Sequence, residues 1–458
     1  MVRVDKMIHK YKLNNYNIVL DIYSGMIHVL DDLSFEMLDL MKNSVEKETP
    51  YKIIEKFKRK YSKESVKEAY MELYNLYETG QLFSNDDHLE KYTNIMKSAP
   101  IKSMCLNVAH DCNLRCEYCF ASKGDFGVKR ELMSFETGKK AIDFMIKNSG
   151  TRKNLEADFF GGEPLMNFEV IKKIVKYARS IEKEYGKNFR FTITTNGILL
   201  DNEKIEFINK EMFNVVLSLD GRKEIHDKLR PTCNDKGSYE IIVPKYRQLL
   251  ATRGNKDYYV RGTFTKNNLD FTNDILHMAE LGFKQLSIEP VVSDPELAYS
   301  IKESDLPEIF KEYENLAIKI IKNHKEKNSF NFFHFLIDLD QGPCAIKRLR
   351  GCSCGNEYLA IAPNGDIYPC HQFVGIDEFK MGNLNKNIFN EHIKEIFSKI
   401  NIYSKKECIN CWAKFYCSGG CNANNQKYEG NILKSHKIGC ELEKKRLECA
   451  IMIKAACL

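Results

Sequence analysis

The chain has 458 residues, enough for two or three domains that each bury a core. Lys+Arg 69 against Asp+Glu 63 leaves a net charge of +6, spread too thinly to argue for nucleic acid. No run approaches the roughly 18 apolar residues of a membrane span, and Met1 to Lys12 alternates charged with apolar residues, unlike an export signal. The expected location is the cytoplasm. In a long chain without an export signal, 16 cysteines point to metal rather than to disulfides.

Residues 7–13 and 16–22 alternate around Asn14-Asn15, and 17–22 faces 26–30 across Ser24-Gly25, which predicts a small antiparallel meander. Three helical patterns follow, at 33–43, at 51–60 behind Pro50, and at 64–79 before Gly80. Gln81-Leu82-Phe83 is expected to return to the sheet. Residues 1–90 therefore read as a winged-helix-like unit. Its helices mix charges, as in Lys63-Glu64 and Lys67-Glu68, instead of presenting one basic face, so DNA is not the expected partner. His88 to Pro100 is polar and reads as a linker.

The next stretch carries Cys112, Cys116 and Cys119, with Tyr118 and Phe120 beside them. Three thiolates at these spacings leave one iron of a [4Fe–4S] cluster without a protein ligand, so that iron can take a small molecule. A closed tetrahedral site would ask for a fourth cysteine, and neither Cys105 nor Cys233 stands at a natural spacing. A structural zinc knuckle is the competing reading.

From Ser103, strand-like and helix-like segments alternate, with strands at Met104 to Val108, Glu156 to Phe160, Arg190 to Thr195, Asn214 to Leu219, 258–264 and Gln285 to Glu289. Six such units predict a parallel sheet whose ligand sits at the carboxyl ends of the strands. The suspicious motifs fall there. Gly161-Gly162-Glu163-Pro164 ends the second strand, and its glycines let backbone approach a ligand closely; an ordinary turn is the alternative. Thr194-Thr195-Asn196-Gly197 ends the third, where a simple Asn-Gly turn is the alternative. Ser218-Leu219-Asp220-Gly221 ends the fourth and runs on to His226-Asp227-Lys228-Leu229-Arg230-Pro231. The Arg230 guanidinium suits a carboxylate because it donates two parallel bonds. Arg261 ends the fifth strand and serves either that purpose or a surface salt bridge.

Beyond residue 330 the cysteines crowd together. Cys408, Cys411, Cys417, Cys421 and Cys440 follow one register, behind Cys354, Gly365 and Cys370. Zinc suits such thiolates as well as iron does. Cys105, Cys233, Cys449 and Cys457 fall in no register and are expected to be packing residues.

The motif of Cys112, Cys116, Tyr118 and Cys119 resembles that of the radical SAM superfamily. The resemblance implies an α/β fold with a partial (β/α)6 TIM-like barrel over residues 98–325, and a cluster whose open iron chelates S-adenosylmethionine (SAM). One electron then releases a 5′-deoxyadenosyl radical. It also implies cofactor contacts from Tyr118, Phe120, Gly161, Gly162, Glu163, Asn196, Ser218, Arg230 and Arg261, with Glu163 at the methionine amino group. The later cysteines resemble the SPASM extension, here 330–458, which implies two auxiliary [4Fe–4S] clusters and three in all. Cys408, Cys411, Cys417 and Cys440 would hold one; Cys354, Cys370 and Cys421 would hold the other, with Cys352 or Cys344 as fourth ligand or an open iron. His371 stands where sulfatase maturases of this family have a catalytic aspartate, and is the candidate proton acceptor. The N-terminal unit is similar to the element that holds a substrate's leader segment by strand addition.

Together these features resemble the maturases of six-cysteine peptides, which join a cysteine sulfur to carbon. The implied partners are a Cys-rich precursor peptide with a leader and a low-potential donor of flavodoxin or ferredoxin type, with no nucleic acid and no membrane. Two alternatives stay open: a formylglycine-forming sulfatase maturase, and a non-enzymatic zinc-binding regulator.

Overall fold

A computed structural model describes residues 8–41, 45–85, 99–326, 328–339 and 345–457, with the side chains of 345–347 left aside. Cys344, most of the expected linker and the ends of the expected 1–90 and 330–458 units lie outside the described residues.

Strands β1 (Ile8–Leu13), β2 (Tyr16–Asp21) and β3 (Ile27–Leu30) form an antiparallel sheet in that order. Asn14 and Asn15 turn the first hairpin with φ of 47° and 66°, the left-handed values a tight two-residue loop requires. Helices Asp32–Met41, Tyr51–Phe57 and Lys63–Glu78 pack on the sheet, the last capped by Ser62, which accepts from the Ser65 N–H. Val19, Met37, Leu38, Tyr70 and Leu73 are buried in this unit's own core. The expected return strand at Gln81-Leu82-Phe83 does not form. Phe83 is left-handed, with φ 55°, which breaks an extended run, and the three residues bend so that Leu82 and Phe83 enter the core.

The second sheet has 11 strands. Six of them, β4 (Ser103–Ala109), β5 (Asn154–Gly161), β6 (Asn188–Thr195), β7 (Met212–Ser218), β8 (Asp257–Phe264) and β9 (Gln285–Pro290), run parallel in sequence order. Helices cover the outer face: residues such as Leu106, Phe159, Phe191 and Leu217 alternate outward into a core shared with Ile142, Ile174 and Ile242. The inward positions are more polar, among them Asp158, Thr192 and Asn214. This is the expected partial barrel, and its flanks come from farther along the chain. β10 (Asn331–Phe332) adds to β9, and β11 (Tyr358–Ile361) adds in parallel to β4. β12 (Asp366–Tyr368), β13 (Gly382–Asn383) and β14 (Ile388–Phe389) continue antiparallel beyond β11.

The N-terminal unit is docked on the cysteine-rich region. The His9 ring stacks on Trp412 with centroids 3.7 Å apart and planes 2° from parallel. His9 Nε2 also meets Glu448 Oε1 at 3.0 Å, and the Tyr11 hydroxyl donates to the Glu448 carbonyl at 2.9 Å. Among the described residues no helix is long and apolar enough to cross a membrane.

Candidate active site

The loop after β4 carries the first three cysteines and is zipped to its neighbours by backbone. The Gly162 N–H donates to Ala109 O at 2.8 Å and the Glu163 N–H to Asp111 O at 2.9 Å. From the other side, Arg115 N–H donates to Pro231 O at 2.8 Å and Glu117 N–H to Leu229 O at 3.0 Å. The two glycines exist for this zipper. A Cβ on Gly161, whose φ is 134°, would lie 2.2 Å from Ala109 O, and one on Gly162 would lie 2.1 Å from Asp111 O. The close approach they make is to Ala109 and Asp111 at the root of the cysteine loop, and both glycines also line the cavity.

Behind the loop stands Asp220, fully buried and given no role by sequence reasoning. Its carboxylate accepts from the Tyr118 hydroxyl at 2.7 Å, from Arg230 Nε at 2.9 Å and from the Thr263 N–H at 2.9 Å. The Asp220 N–H donates to His226 Nδ1 at 3.2 Å, while His226 Nε2 meets the Ser238 hydroxyl at 2.9 Å. The His226–Pro231 motif is thereby a brace for Asp220. Tyr118 and Arg230 both line the cavity, but their polar ends are engaged inside its wall, and Arg230 Nη1 reaches to 4.0 Å from Cys116 Sγ.

Glu163 is fully buried at the end of β5. Oε1 accepts from Leu165 N–H at 3.0 Å and from the Thr195 hydroxyl at 2.8 Å, and Oε2 accepts from Asn196 N–H at 2.8 Å. Burial nonetheless raises its pKa to about 7. A cationic group in the cavity would hold it ionised. The Asn196 amide donates to Asn113 Oδ1 at 2.8 Å and lies 3.6 Å from Cys112 Sγ, so it belongs to the cysteine loop as much as to the strand end.

The enclosed space is about 410 Å³, within the range of small-molecule sites. Cys112, Cys116, Cys119, Gly161, Gly162, Glu163, Asn196, Ser218 and Arg230 line it, and so do Phe120, Phe160, Arg261, Glu289, His371 and Cys421. Arg261 pairs with Glu289 at 3.4 Å and keeps half its side chain exposed. Burial alone would raise the Glu289 pKa, but His334, Arg261 and Arg446 outweigh it and hold this carboxyl ionised. The His371 ring packs on Phe160 at 5.1 Å and Phe120 at 5.6 Å, with Nδ1 3.3 Å from the Tyr358 hydroxyl. Burial, assisted by Arg261, lowers its pKa to about 4.

The C-terminal thiols gather in two groups. Cys354 and Cys370 flank the β11–β12 hairpin and lie close enough to shift one another's titration, with Cys352 and Cys421 within the same electrostatic reach. Cys408, Cys411, Cys417 and Cys440 form the other. Cys352, one of the two expected candidates for the fourth ligand, lies within electrostatic reach of Cys354 and Cys370. Cys105 and Cys449 are buried as expected of packing residues, but Cys233 and Cys457 are exposed, and Cys233 Sγ sits 3.2 Å from Asn113 O. The described cysteines form no disulfide, and among the described residues no three His, Cys, Asp or Glu side chains converge on a single-ion point.

A model of the radical SAM superfamily matches residues 106–251, and one of the SPASM iron–sulfur cluster-binding domain matches 352–412. The chain carries a radical SAM domain followed by a SPASM domain. It is 27% identical over 333 residues to a cysteine-type anaerobic sulfatase-maturating enzyme of Clostridium novyi, covering 69% of this chain and 86% of that one. It is 25% identical over 427 residues to the subtilosin biosynthesis protein AlbA of Bacillus subtilis, covering 86% and 87%. The fold matches the crystal structure of Streptococcus suis SuiB bound to its precursor peptide SuiA, with TM-score 0.52, 18% identity, and 95% and 98% of the chains covered.

This is therefore a radical SAM enzyme that uses SAM and iron–sulfur chemistry, and the zinc-regulator reading is set aside. The donor set fits such groups. Burial drives the Cys112 and Cys116 thiols up to about 12 and about 11 without metal, so only a cation bound there would hold them as thiolates. The Leu114 N–H, 3.5 Å from Cys112 Sγ, and the nearby Arg230 guanidinium favour that charged form.

Proposed function

We propose that this chain is a peptide maturase that joins a cysteine sulfur to carbon in a ribosomally made, Cys-rich precursor. One observation carries it: a single cavity is lined both by the first cysteine loop and by His371 and Cys421 of the C-terminal region. A peptide side chain in that cavity touches both.

In this reading Cys112, Cys116 and Cys119 hold the first cluster, and Cys408, Cys411, Cys417 and Cys440 hold a second. Cys352, Cys354, Cys370 and Cys421 hold a third. Bound there, SAM and the first cluster supply a 5′-deoxyadenosyl radical that takes hydrogen from carbon. The chain's own groups do the rest. Glu163, poised near neutrality, receives the amino group of SAM, and Asn196, Ser218 and Arg261 line the space for its remainder. Phe120 and Phe160 pack on the His371 ring and give the cavity an apolar wall. His371, lowered to about 4, is neutral at physiological pH and too weak a base to hold a thiol proton, so in this reading its ring lines the space that a substrate side chain enters. The leader segment adds to the open edge of β3, where Val29 is exposed.

The likeness to a precursor-bound fold and to a bacteriocin biosynthesis protein supports a peptide substrate. Likeness to a sulfatase-maturating enzyme favours a second reading, oxidation of a cysteine to an aldehyde; His371 in the aspartate position speaks against it. Mass spectrometry separates the two. A Cys-rich precursor incubated with enzyme, SAM and reductant should lose two hydrogens per bridge and one free thiol with them. Loss of sulfur with appearance of an aldehyde would establish the second reading instead, and an unchanged peptide would sink both.

A further inference from the structure

Lys405 is a buried lysine, 1% exposed, three residues before Cys408. Its Nζ donates to the Gly419 carbonyl at 2.6 Å and to Asn422 Oδ1 at 2.8 Å. Gly419 lies between Cys417 and Cys421, and Asn422 follows Cys421, so the ammonium is lashed to the short link joining the two thiol groups. Among the described residues no carboxylate pairs with it. The groups that favour its charge are Cys408 and Cys417 from one set and Cys421 and Cys352 from the other.

Burying an ammonium without a counterion is among the costlier things a fold does. Two neutral acceptors satisfy hydrogen bonds but not the charge. Thiolates held by clusters on both sides would satisfy it, in a dry interior where electrostatic effects are strong. Cluster potentials respond to net charge and to nearby donors. We propose that Lys405 is a shared electrostatic post between the two auxiliary clusters, raising the reduction potentials of both. Each cluster that gains an electron becomes more negative by one charge, and the fixed cation stabilises that form over the oxidised one. An electron arriving at the cavity-facing set, which includes Cys421, then finds two acceptors adjusted by one side chain. The inference rests on the two-auxiliary-cluster reading above.

The test is a potentiometric titration followed by electron paramagnetic resonance on reconstituted full-length protein, after iron and sulfide have been counted. Lys405→Met removes the charge, Lys405→Gln keeps a donor without charge, and Lys405→Arg keeps the charge. In Lys405→Met and Lys405→Gln both auxiliary midpoints should move to lower potential, while the first cluster, held elsewhere, stays put as an internal reference; Lys405→Arg should stay close to wild type. Loss of auxiliary iron from both neutral variants with Lys405→Arg intact also meets the expectation. Unmoved midpoints in Lys405→Met, an equal shift in Lys405→Arg, or loss of iron from all three variants overturns it. Wild-type protein with roughly four irons per chain rather than roughly twelve removes the two-cluster reading, and this inference with it.

Discussion

Arg230 Nε and Asp220 Oδ2 are 2.9 Å apart, both removed from solvent, directly behind the cysteine loop. Asp220 is the acceptor on which Tyr118 and Arg230 both depend, and removing one partner of a buried pair strands the other. Asp220→Ala should destabilise the metal-free protein by about 3–5 kcal/mol in denaturant titrations. It should also weaken SAM binding in the reconstituted protein, although Asp220 does not line the cavity. Asp220→Asn, which still accepts hydrogen bonds, should fall between.

The glycine zipper gives a sharper contrast. Gly161→Ala drives a methyl into Ala109 O at 2.2 Å, so the cysteine loop must shift, and iron per chain should fall by roughly four. Gly186→Ala is the control: its φ of 61° is equally left-handed, but nothing lies within 4 Å of the added carbon. It should cost about 1 kcal/mol and leave iron content unchanged.

His226 predicts an acid-sensitive fold. Burial lowers its pKa from 6.5 to about 4, so between those values the unfolded chain binds a proton that the folded chain refuses. Stability is therefore complete above about pH 6.5 and is lost as pH falls toward 4, by on the order of 3 kcal/mol. His226→Gln should flatten that part of the stability profile of the metal-free protein. An unchanged slope would assign the acid lability to other groups.

Cys352 separates the two candidates for the last auxiliary ligand. Cys352→Ser should alter the spectrum or iron content of the cluster beside Cys370, whereas Cys344→Ser and Cys233→Ser should leave both as they are. A spectral change in Cys344→Ser alone would reverse the assignment.

The single tryptophan reports on domain docking. His9→Ala removes the ring stacked on Trp412 and the bond to Glu448. Tryptophan emission in the metal-free protein should shift to longer wavelength, with a stability loss of about 0.5–1.5 kcal/mol for the stacked pair.

Much of the barrel was legible because its strands are five or more residues long with apolar alternation, and because thiolate chemistry imposes strict spacing on Cys112, Cys116 and Cys119. β11 to β14 were not legible: strands of two to four residues carry no periodicity, and they exist because β4 offers an open edge. Asp220 was quoted within its motif but not given a task, since its three donors come from segments far apart in the chain. Lys405, beside Lys406 in a polar stretch, looks like any surface lysine until the fold closes over it. The return strand at Gln81 failed for a local reason, the left-handed Phe83, which no apolar pattern announces.

The pairing of β11 with β4 has one more consequence. Tyr358–Ile361 is stitched along the same strand that launches the first cysteine loop, so among the described residues barrel and tail share one continuous sheet. In the proposed reading, the spacing between the cysteine groups would be set when the chain folds, and turnover would rearrange the peptide and the side chains around it.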